Sequence, residues 1–426
     1  MKISIAIPTR ERAEFLGASL ATCTAIDDPE LEIIVSDNAS ADDTARVVAA
    51  AGDRRVRYVN TGARLSMRQN FEFAVAQSTG DYVMLMGDDD GMLPRQFGLL
   101  KSILRKHRPP VLASRPLYYL WPSPKATDMG GRLKIARQGL FGGLARQASA
   151  GLIEKVRDDR LDRNDFLPMI YHGMVRRDVV EAVRERTGAV FSCSVPDVYF
   201  YISALAMLDE FEAIEHPFSI QGIGTKSTGV DARQGTDGGE SPAERFAREA
   251  ATDPIVDPIP GRLPAIEMYY LNAVEQANRV AFGGKLAPNY GAYMNRVGAA
   301  LIAAGPEKVA EGLPMLQRFA AGLAEPGDAV AVLARLEVAA AAAPAGAALA
   351  GRRRWMLPSY ASGGKVVVDL KRLSSGSIAD AASHADTMLG QGALGDDDRA
   401  LGSWGGVLAR ALPLIARSLI STERAG

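Results

Sequence analysis

Apolar residues in the first third of the chain follow two alternating spacings. Four short runs have the pattern of strands, the first of them rich in β-branched residues: residues 2–7, 31–36, 56–59 and 81–86. Four intervening segments carry apolar residues every three to four positions, as helices do: residues 11–23, 42–51, 66–77 and 94–106. Repeated strand–helix units build a mostly parallel sheet flanked by helices, so we expect a Rossmann-like α/β fold.

The middle of the chain is less regular and ends at a proline-rich segment. Apolar patterns predict four further elements: a strand at 166–175, helices at 177–186 and 197–208, and a strand at 211–215. Residues 231–242 are rich in Gly, Asp and Ser, which predicts a mobile loop. Four prolines between residues 253 and 264 indicate a linker.

Beyond this linker the chain becomes rich in Ala and Leu with helical spacing. Four helices are predicted: 265–281, 290–304, 307–323 and 328–342. A short strand is expected at 365–370. Two helical patterns close the chain, and the last, 406–420, is expected to dock on the protein body. We therefore expect an α/β domain over residues 1–252, a linker over 253–264 and a mainly helical region over 265–426.

Composition narrows the function classes. The 426 residues carry a formal net charge of −1, so no broad basic face for nucleic acid is expected. Cys23 and Cys193 form no disulfide framework and have no metal-ligand spacing, which favours a reducing compartment. The N-terminal apolar run is too short for a signal peptide, and no uninterrupted apolar run of about 18 residues predicts a transmembrane helix. A cytoplasmic location is expected, with peripheral contact at the inner face of the membrane left open.

Three consecutive carboxylates, Asp88, Asp89 and Asp90, follow the fourth predicted strand. We call them the acidic triplet. Ligands of α/β sheets bind beyond the carboxyl ends of strands, and hard divalent cations take oxygen ligands, so this position favours a metal site. The alternative is a solvated turn that caps the helix after Pro94. A second triplet, at residues 396–398, follows no strand and is predicted to be only a helix N-cap.

Other polar residues also follow predicted strands. Pro8, Thr9 and Arg10 come after the first strand, and Asp37 comes after the second. Asp37 is either a turn residue or an acceptor for a nucleobase N–H group, and the sequence leaves both open. Asp197 opens a helix, so it is either a cap or a general base that the fold brings to the acidic triplet.

Two familiar nucleotide-binding motifs are absent. The turn after the first strand, residues 8–12, contains no glycine, which argues against a dinucleotide-binding fingerprint. No P-loop pattern occurs either, which argues against an ordinary NTPase.

Three segments resemble family 2 glycosyltransferases, of the bacterial surface-polysaccharide type, in their order and spacing. They are residues 3–16, residues 33–44, and the stretch from Asn70 through Gly80-Asp81-Tyr82 to the acidic triplet. The resemblance covers roughly the first 230 residues. It implies a GT-A fold and inverting transfer of a sugar from a nucleotide-diphosphate sugar, UDP being favoured. Gly87 stands where many members have the first Asp of the metal motif, and Pro196 stands where they have the acid before the base.

The resemblance also implies roles for individual residues. By similarity, the nucleotide and sugar would be bound by seven residues: Pro8, Thr9, Arg10, Asp37, Arg68, Asn70 and Asp88. The family's Mg²⁺ or Mn²⁺ would be held by Asp89, with Asp90 beside it, and Asp197 would be the base. The acceptor would be the hydroxyl of a glycan, a lipid-linked sugar or a small molecule.

Two other function classes stay open. One is a non-catalytic relative, in which a nucleotide-binding α/β half is a scaffold for a partner-binding helical half. The other is a nucleotidyltransferase, which would carry a glycine-rich loop with Arg and Lys after the first strand. Retained nucleotide binding without turnover distinguishes the first from an enzyme.

Overall fold

The computed structural model describes nine stretches of the protein: residues 1–122, 130–224, 242–255, 257–323, 326–342, 360–362, 365–373, 376–400 and 402–420. The loop predicted at residues 231–242 lies outside them, apart from its last residue. Within the described part, no helix is long and apolar enough to cross a membrane.

Two sheets organise the described residues. The first has eight strands in the order β3-β2-β1-β4-β10-β6-β11-β9, and the second has six in the order β13-β14-β8-β7-β12-β5. Their bounds are β1 Ile3–Thr9, β2 Leu31–Asp37, β3 Val56–Asn60, β4 Tyr82–Leu85, β5 Gly91–Met92, β6 Val111–Ser114, β7 Leu117–Leu120, β8 Arg132–Ala136, β9 Leu144–Ala148, β10 Met174–Arg176, β11 Glu210–Ile214, β12 Ser219–Ile223, β13 Tyr360–Ser362 and β14 Lys365–Asp369.

Helices cover the sheets and build the second half of the described chain. They are α1 Ala13–Thr24, α2 Thr44–Ala50, α3 Met67–Ala76, α4 Phe97–His107, α5 Ser149–Arg157, α6 Arg177–Thr187, α7 Pro196–Leu205, α8 Pro242–Ala250, α9 Ile266–Val280, α10 Tyr290–Ala304, α11 Pro306–Ala321, α12 Ala329–Ala342, α13 Ile378–Leu389 and α14 Trp404–Ile420. The expected GT-A arrangement, a mostly parallel sheet flanked by helices and followed by a largely helical region, is confirmed.

The parallel register of the first sheet places the candidate residues at one edge. β1 pairs with β2 so that Thr9 lies opposite Asp37, and it pairs with β4 so that Ala6 lies opposite Leu85. Both strands bury every residue, which is why they appear in the sequence as continuous apolar runs. Asp37 and the acidic triplet, which follows Leu85, therefore meet the loop after β1 at the carboxyl edge.

The second sheet joins the two ends of the chain. β14 pairs antiparallel with β8, with Val366 opposite Ile135. Helices α13 and α14 pack on this sheet through apolar residues that include Ile378 and Val407. Part of the predicted C-terminal region thus completes a sheet of the predicted N-terminal domain, whereas α9–α12 pack on α7 and on one another. The division into three parts stays a prediction.

Two local predictions are wrong. The strand expected at 166–175 is only β10, because His172 has a left-handed φ of 62° and a side chain at Gly173 would overlap the carbonyl oxygen of Met169. Residues 396–398 do not cap a helix, since α14 begins at Trp404. Asp398, with a φ of 60°, lies instead in a turn that is held by an ion pair to Lys106.

Candidate active site

The acidic triplet is buried at the carboxyl edge of the first sheet. The relative exposures of Asp88, Asp89 and Asp90 are 4%, 6% and 0%. The main-chain oxygen of Asp89 accepts a hydrogen bond from Trp121 Nε1 at 2.8 Å. Water does not screen these charges, so each carboxylate depends on protein groups around it.

Arg12, on the loop between β1 and α1, is the cation beside the first two carboxylates. Its Nη2 donates to Asp89 Oδ2 at 2.6 Å, and its Nε lies 3.1 Å from Asp88 Oδ1. The guanidinium also stacks over Phe15, 5.1 Å from the ring centroid. Thr9 Oγ1 donates to Asp88 Oδ2 at 2.7 Å. The loop after β1 thus supplies both a positive charge and a hydroxyl to the triplet.

Asp90 is bound by four protein groups. The main-chain N–H groups of Gly87 and Gly222 donate to its two oxygens at 2.9 and 2.8 Å, and the Tyr171 hydroxyl donates to Oδ2. His172 Nε2 lies 3.2 Å from the same oxygen, and its Nδ1 is 2.9 Å from Ser219 Oγ. Asp90 therefore connects the end of β4 with β12.

These surroundings shift the pKa values of the three carboxyl groups in different directions. Burial raises the pKa of Asp89 to about 7, assisted by repulsion from Asp90 and Asp88 and opposed by Arg12. Burial also raises the pKa of Asp88. For Asp90 burial acts in the same direction, but His172, Tyr171 and the Gly222 N–H outweigh it and lower the pKa. These surroundings thus favour the ionised form of Asp90, whereas burial favours the protonated form of Asp89.

The carboxylates of the triplet are not equally suited to hold a divalent cation. Asp89 offers a carboxylate whose cationic neighbour is a movable arginine side chain. Both oxygens of Asp90 already accept hydrogen bonds, so Asp90 fits a structural role better than a ligand role. Among the residues that the structure describes, no group of three or more His, Cys, Asp and Glu side chains is arranged to hold a metal ion.

Asp37 lies at the end of β2, with its carboxylate turned toward β3. Its Oδ2 accepts hydrogen bonds from the Tyr58 hydroxyl at 2.6 Å and from Asn60 Nδ2 at 3.2 Å. Its Oδ1 accepts one from the Ser40 N–H at 3.0 Å, which closes a turn. The turn interpretation is thus realised, and the nucleobase role of Asp37 stays a prediction.

Arg68 and Asn70 on α3 make internal contacts. Asp253 pairs with Arg68 through two hydrogen bonds of 2.7 and 2.8 Å, and both partners are largely buried. Asn70 Oδ1 accepts from Ser36 Oγ at 2.6 Å and ties α3 to β2. Both residues therefore hold α3 in place, while contact with a nucleotide stays a prediction for each.

Asp197 lies in the first turn of α7, and its side chain is partly exposed. Burial by the surrounding protein raises its pKa. Its charge interacts with both Tyr171 and His172, the two residues that contact Asp90. The fold therefore places Asp197 within electrostatic range of the two residues that contact Asp90, and its role as the base stays a prediction. A carboxyl group with a raised pKa at such a place suits proton transfer.

Three residues of this site escaped the sequence predictions: Arg12, Trp121 and Tyr171. The sequence could have indicated Arg12, because a cation three residues after the end of a strand falls at the carboxyl edge of the sheet. Nothing in the sequence indicated Trp121 or Tyr171, because they reach the triplet from segments that contain no motif.

Comparison with known proteins agrees with this geometry. Residues 4–181 match the model of glycosyl transferase family 2. A relative from Campylobacter jejuni, the GalNAc(5)-diNAcBac-PP-undecaprenol beta-1,3-glucosyltransferase, is 32% identical over 108 residues, which are 25% of this chain and 34% of the relative. The abequosyltransferase RfbV of Salmonella typhimurium is 29% identical over 109 residues, 24% of this chain and 33% of that protein.

A solved structure, S. aureus TarS 1-349 in complex with UDP-GlcNAc, superposes with a TM-score of 0.45 at 12% identity, covering 80% of this chain and 91% of that one. The α/β fold and the acidic triplet at its carboxyl edge lie largely within the segment that matches glycosyl transferase family 2, residues 4–181. The match agrees with the resemblance seen in the sequence. The chain spans about a third of the length of the two curated relatives.

Proposed function

We propose that this protein is an inverting glycosyltransferase that moves a sugar from a nucleotide-diphosphate sugar to a hydroxyl group in bacterial surface polysaccharide or other glycan synthesis. The observation that supports this is the buried acidic triplet at the carboxyl edge of the segment that matches family 2, with Tyr171 of that site within electrostatic range of Asp197. The two relatives support the class, because both are named as sugar transferases. One name contains an undecaprenol-PP-linked glycan, which makes a lipid-linked acceptor the favoured one.

The reaction needs one base and no covalent intermediate. Asp197 accepts the proton of the acceptor hydroxyl as that oxygen attacks the anomeric carbon. The new carbon–oxygen bond forms on the face opposite the leaving group, and the old bond to phosphate breaks with its electron pair going to the nucleoside diphosphate. The anomeric configuration therefore inverts. Asp88, fixed by Thr9, orients the donor, and Arg12 places positive charge near the departing phosphate.

The proposal includes a divalent cation, which one residue would hold. Asp89 would hold Mg²⁺ or Mn²⁺, which when bound neutralises charge on the diphosphate. Asp90 would hold the loop in place rather than the metal, since its oxygens accept protein hydrogen bonds. The donor nucleotide is expected to be UDP. The acceptor chemistry favours work at the cytoplasmic face of a membrane.

The deciding experiment is nucleotide binding followed by turnover. A thermal-shift series of nucleoside diphosphates, with Mn²⁺ and with EDTA, is expected to raise the melting temperature for one nucleotide, because a ligand of the folded state stabilises it by mass action. Release of the nucleoside diphosphate from the matching donor sugar is then measured with lipid-linked acceptors. Binding without any turnover contradicts the enzyme and supports the non-catalytic scaffold. Absence of any nucleotide effect contradicts both.

A further inference from the structure

The loop that leads into α7 is held by side chains from two other parts of the chain. We call residues 191–195 the entry loop, since α7 begins directly after them. Glu72 of α3 accepts a hydrogen bond from the Phe191 N–H at 3.0 Å. Arg68, also on α3, donates through Nη1 to the Phe191 carbonyl oxygen at 3.2 Å. Both main-chain polar groups of Phe191 are therefore bound by α3.

Asp257 supplies a third contact, although it belongs to the segment predicted to be a linker. Its Oδ1 accepts a hydrogen bond from the Ser194 N–H at 3.0 Å. Asp253, four residues earlier, forms the buried ion pair with Arg68. The linker segment therefore reaches the entry loop in two ways, directly at Ser194 and through Arg68 at Phe191.

The entry loop is also tightly packed. Phe191 is fully buried, and its ring centroid lies 6.0 Å from that of Phe71 on α3 and 6.1 Å from that of Phe200 on α7. The cavity that Ser194 and Asp257 help to line measures about 10 Å³, which is room for about one water molecule and too little for a substrate. The junction is therefore a structural contact and not a binding site.

Asp197 depends on this loop for its place. It lies in the first turn of α7, three residues after Ser194. The N-cap of α7 is Val195, whose side chain makes no capping hydrogen bond, although the first N–H groups of a helix need acceptors from outside it. Asp257 thus binds the main chain just ahead of this turn from a distant part of the chain, where an N-cap side chain would otherwise do so.

We propose that Asp257 is a positioning residue for the reaction, which fixes the entry loop and, through it, the place of Asp197. The inference rests on the proposed function, in which Asp197 is the base. Asp257 and α7 both lie beyond residues 4–181, the segment that matches family 2. A displacement of a reacting group by about 1 Å costs up to about 10²-fold in rate, so a fixed entry loop matters for the chemical step.

Hydrogen exchange measured by mass spectrometry tests the fixed loop without any substrate. Asp257→Ala removes the acceptor of the Ser194 N–H, so the peptide covering residues 191–198 is expected to exchange about tenfold faster than in wild type. Asp257→Asn keeps an acceptor oxygen and is expected to restore slow exchange. Asn289→Ala, which removes a side-chain acceptor at the start of α10, is the matched control and is expected to leave this peptide unchanged. Unchanged exchange in Asp257→Ala overturns the proposal.

Turnover distinguishes positioning from a merely structural contact. The kcat of Asp257→Ala is expected to fall by about 10–10²-fold while the affinity for the nucleoside diphosphate holds, and kcat is expected to recover in Asp257→Asn. Wild-type kcat in Asp257→Ala, despite faster exchange, overturns the proposal, because Asp197 then does not depend on the loop. Equal losses of kcat and of nucleotide affinity also overturn it, since they indicate a general loosening of the site.

A second variant covers the case in which Asp257→Ala loses its melting transition. Glu72→Ala releases the entry loop from α3 instead, and the same faster exchange and lower kcat at unchanged nucleotide affinity are expected. The proposal and the proposed function fail separately. Absence of turnover in the wild-type protein contradicts the proposed function, whereas slow exchange in Asp257→Ala contradicts only the role of Asp257.

Discussion

Nη2 of Arg12 lies 2.6 Å from Oδ2 of Asp89, the carboxylate that we propose as the metal ligand. A guanidinium and a divalent cation are both attracted to the same oxygen, and each disfavours the other by charge repulsion. Arg12 would therefore compete with the proposed metal ion for Asp89. Its Nε lies 3.1 Å from Asp88 Oδ1, so Arg12 would keep a second carboxylate as its partner if a metal ion bound Asp89.

This competition predicts the effect of Arg12→Gln. The variant is expected to bind Mn²⁺ more tightly than wild type, because a cation no longer shares Asp89. It is also expected to be less stable by about 3 kcal/mol, since two buried carboxylates lose their partner. Mn²⁺ titration by electron paramagnetic resonance and urea unfolding measure the two effects. An unchanged Mn²⁺ affinity contradicts the competition.

Asp89→Asn is expected to abolish the EDTA-sensitive part of the affinity for the nucleoside diphosphate. The amide keeps the shape of the side chain but lacks the negative charge that a hard cation needs. Asp397→Asn is the control, because Asp397 belongs to the second triplet and its side chain is 67% exposed. Calorimetry with and without EDTA compares them, and equal losses in both variants contradict the metal assignment.

Asp37→Ala is expected to weaken nucleotide binding equally with metal and with EDTA, if its carboxylate contacts the base. It also removes the acceptor of Tyr58, Asn60 and the Ser40 N–H, so a loss of about 1–3 kcal/mol in stability is expected. Tyr58→Phe deletes one of these hydrogen bonds and leaves the carboxylate. An affinity that falls as much in Tyr58→Phe as in Asp37→Ala reduces Asp37 to a turn residue.

Asp197→Asn is expected to lower kcat by about 10²–10⁴-fold, while nucleotide affinity holds, because a base acts in the chemical step. Asp197 is not the N-cap of α7, which is Val195, and Asn is nearly isosteric with Asp, so stability is expected to change little. Asp178→Asn, in the first turn of α6, is the matched control. Wild-type turnover by Asp197→Asn leaves Asp197 only a structural role in the first turn of α7, and His172 is then the next residue to test.

His216 predicts a pH dependence of stability. Its ring is buried, its Nδ1 accepts from the Phe141 N–H, and its Nε2 lies 3.1 Å from Gln96 Oε1, so it is held neutral. Burial lowers its pKa to about 4. As the pH falls, His216 takes up a proton in the unfolded chain at a higher pH than in the folded protein. The stabilisation from the neutral, buried ring is therefore fully present above about pH 6.5 and is lost between about pH 6.5 and 4, by up to roughly 3 kcal/mol.

His216→Asn, whose amide oxygen replaces the Nδ1 acceptor, is expected to be less stable at pH 7 but to lose less stability between pH 7 and 4.5. Urea unfolding at a series of pH values measures this difference. Parallel curves for the two proteins contradict the role of His216.

Uniform burial explains why β1 and β2 could be predicted from the sequence. β1 and β2 bury both faces, so their apolar runs are unbroken, and the acidic triplet is conspicuous where such a run ends. None of the five residues of β9 is buried, and its place in the sheet depends on pairing with β11, far along the chain. Arg12 was not predicted because its burial depends on Asp88 and Asp89, which are distant in sequence.

The pairing of β8 with β14 has a consequence for the order in which the protein is made. A ribosome releases β1 to β4 first, and β8 has no partner on this side until residues 365–369 have been synthesised. During that time Leu133 and Ile135, which end up fully buried, face water beside an open strand edge. A chain stopped at the linker keeps that edge permanently, so we expect it to aggregate where the full chain does not.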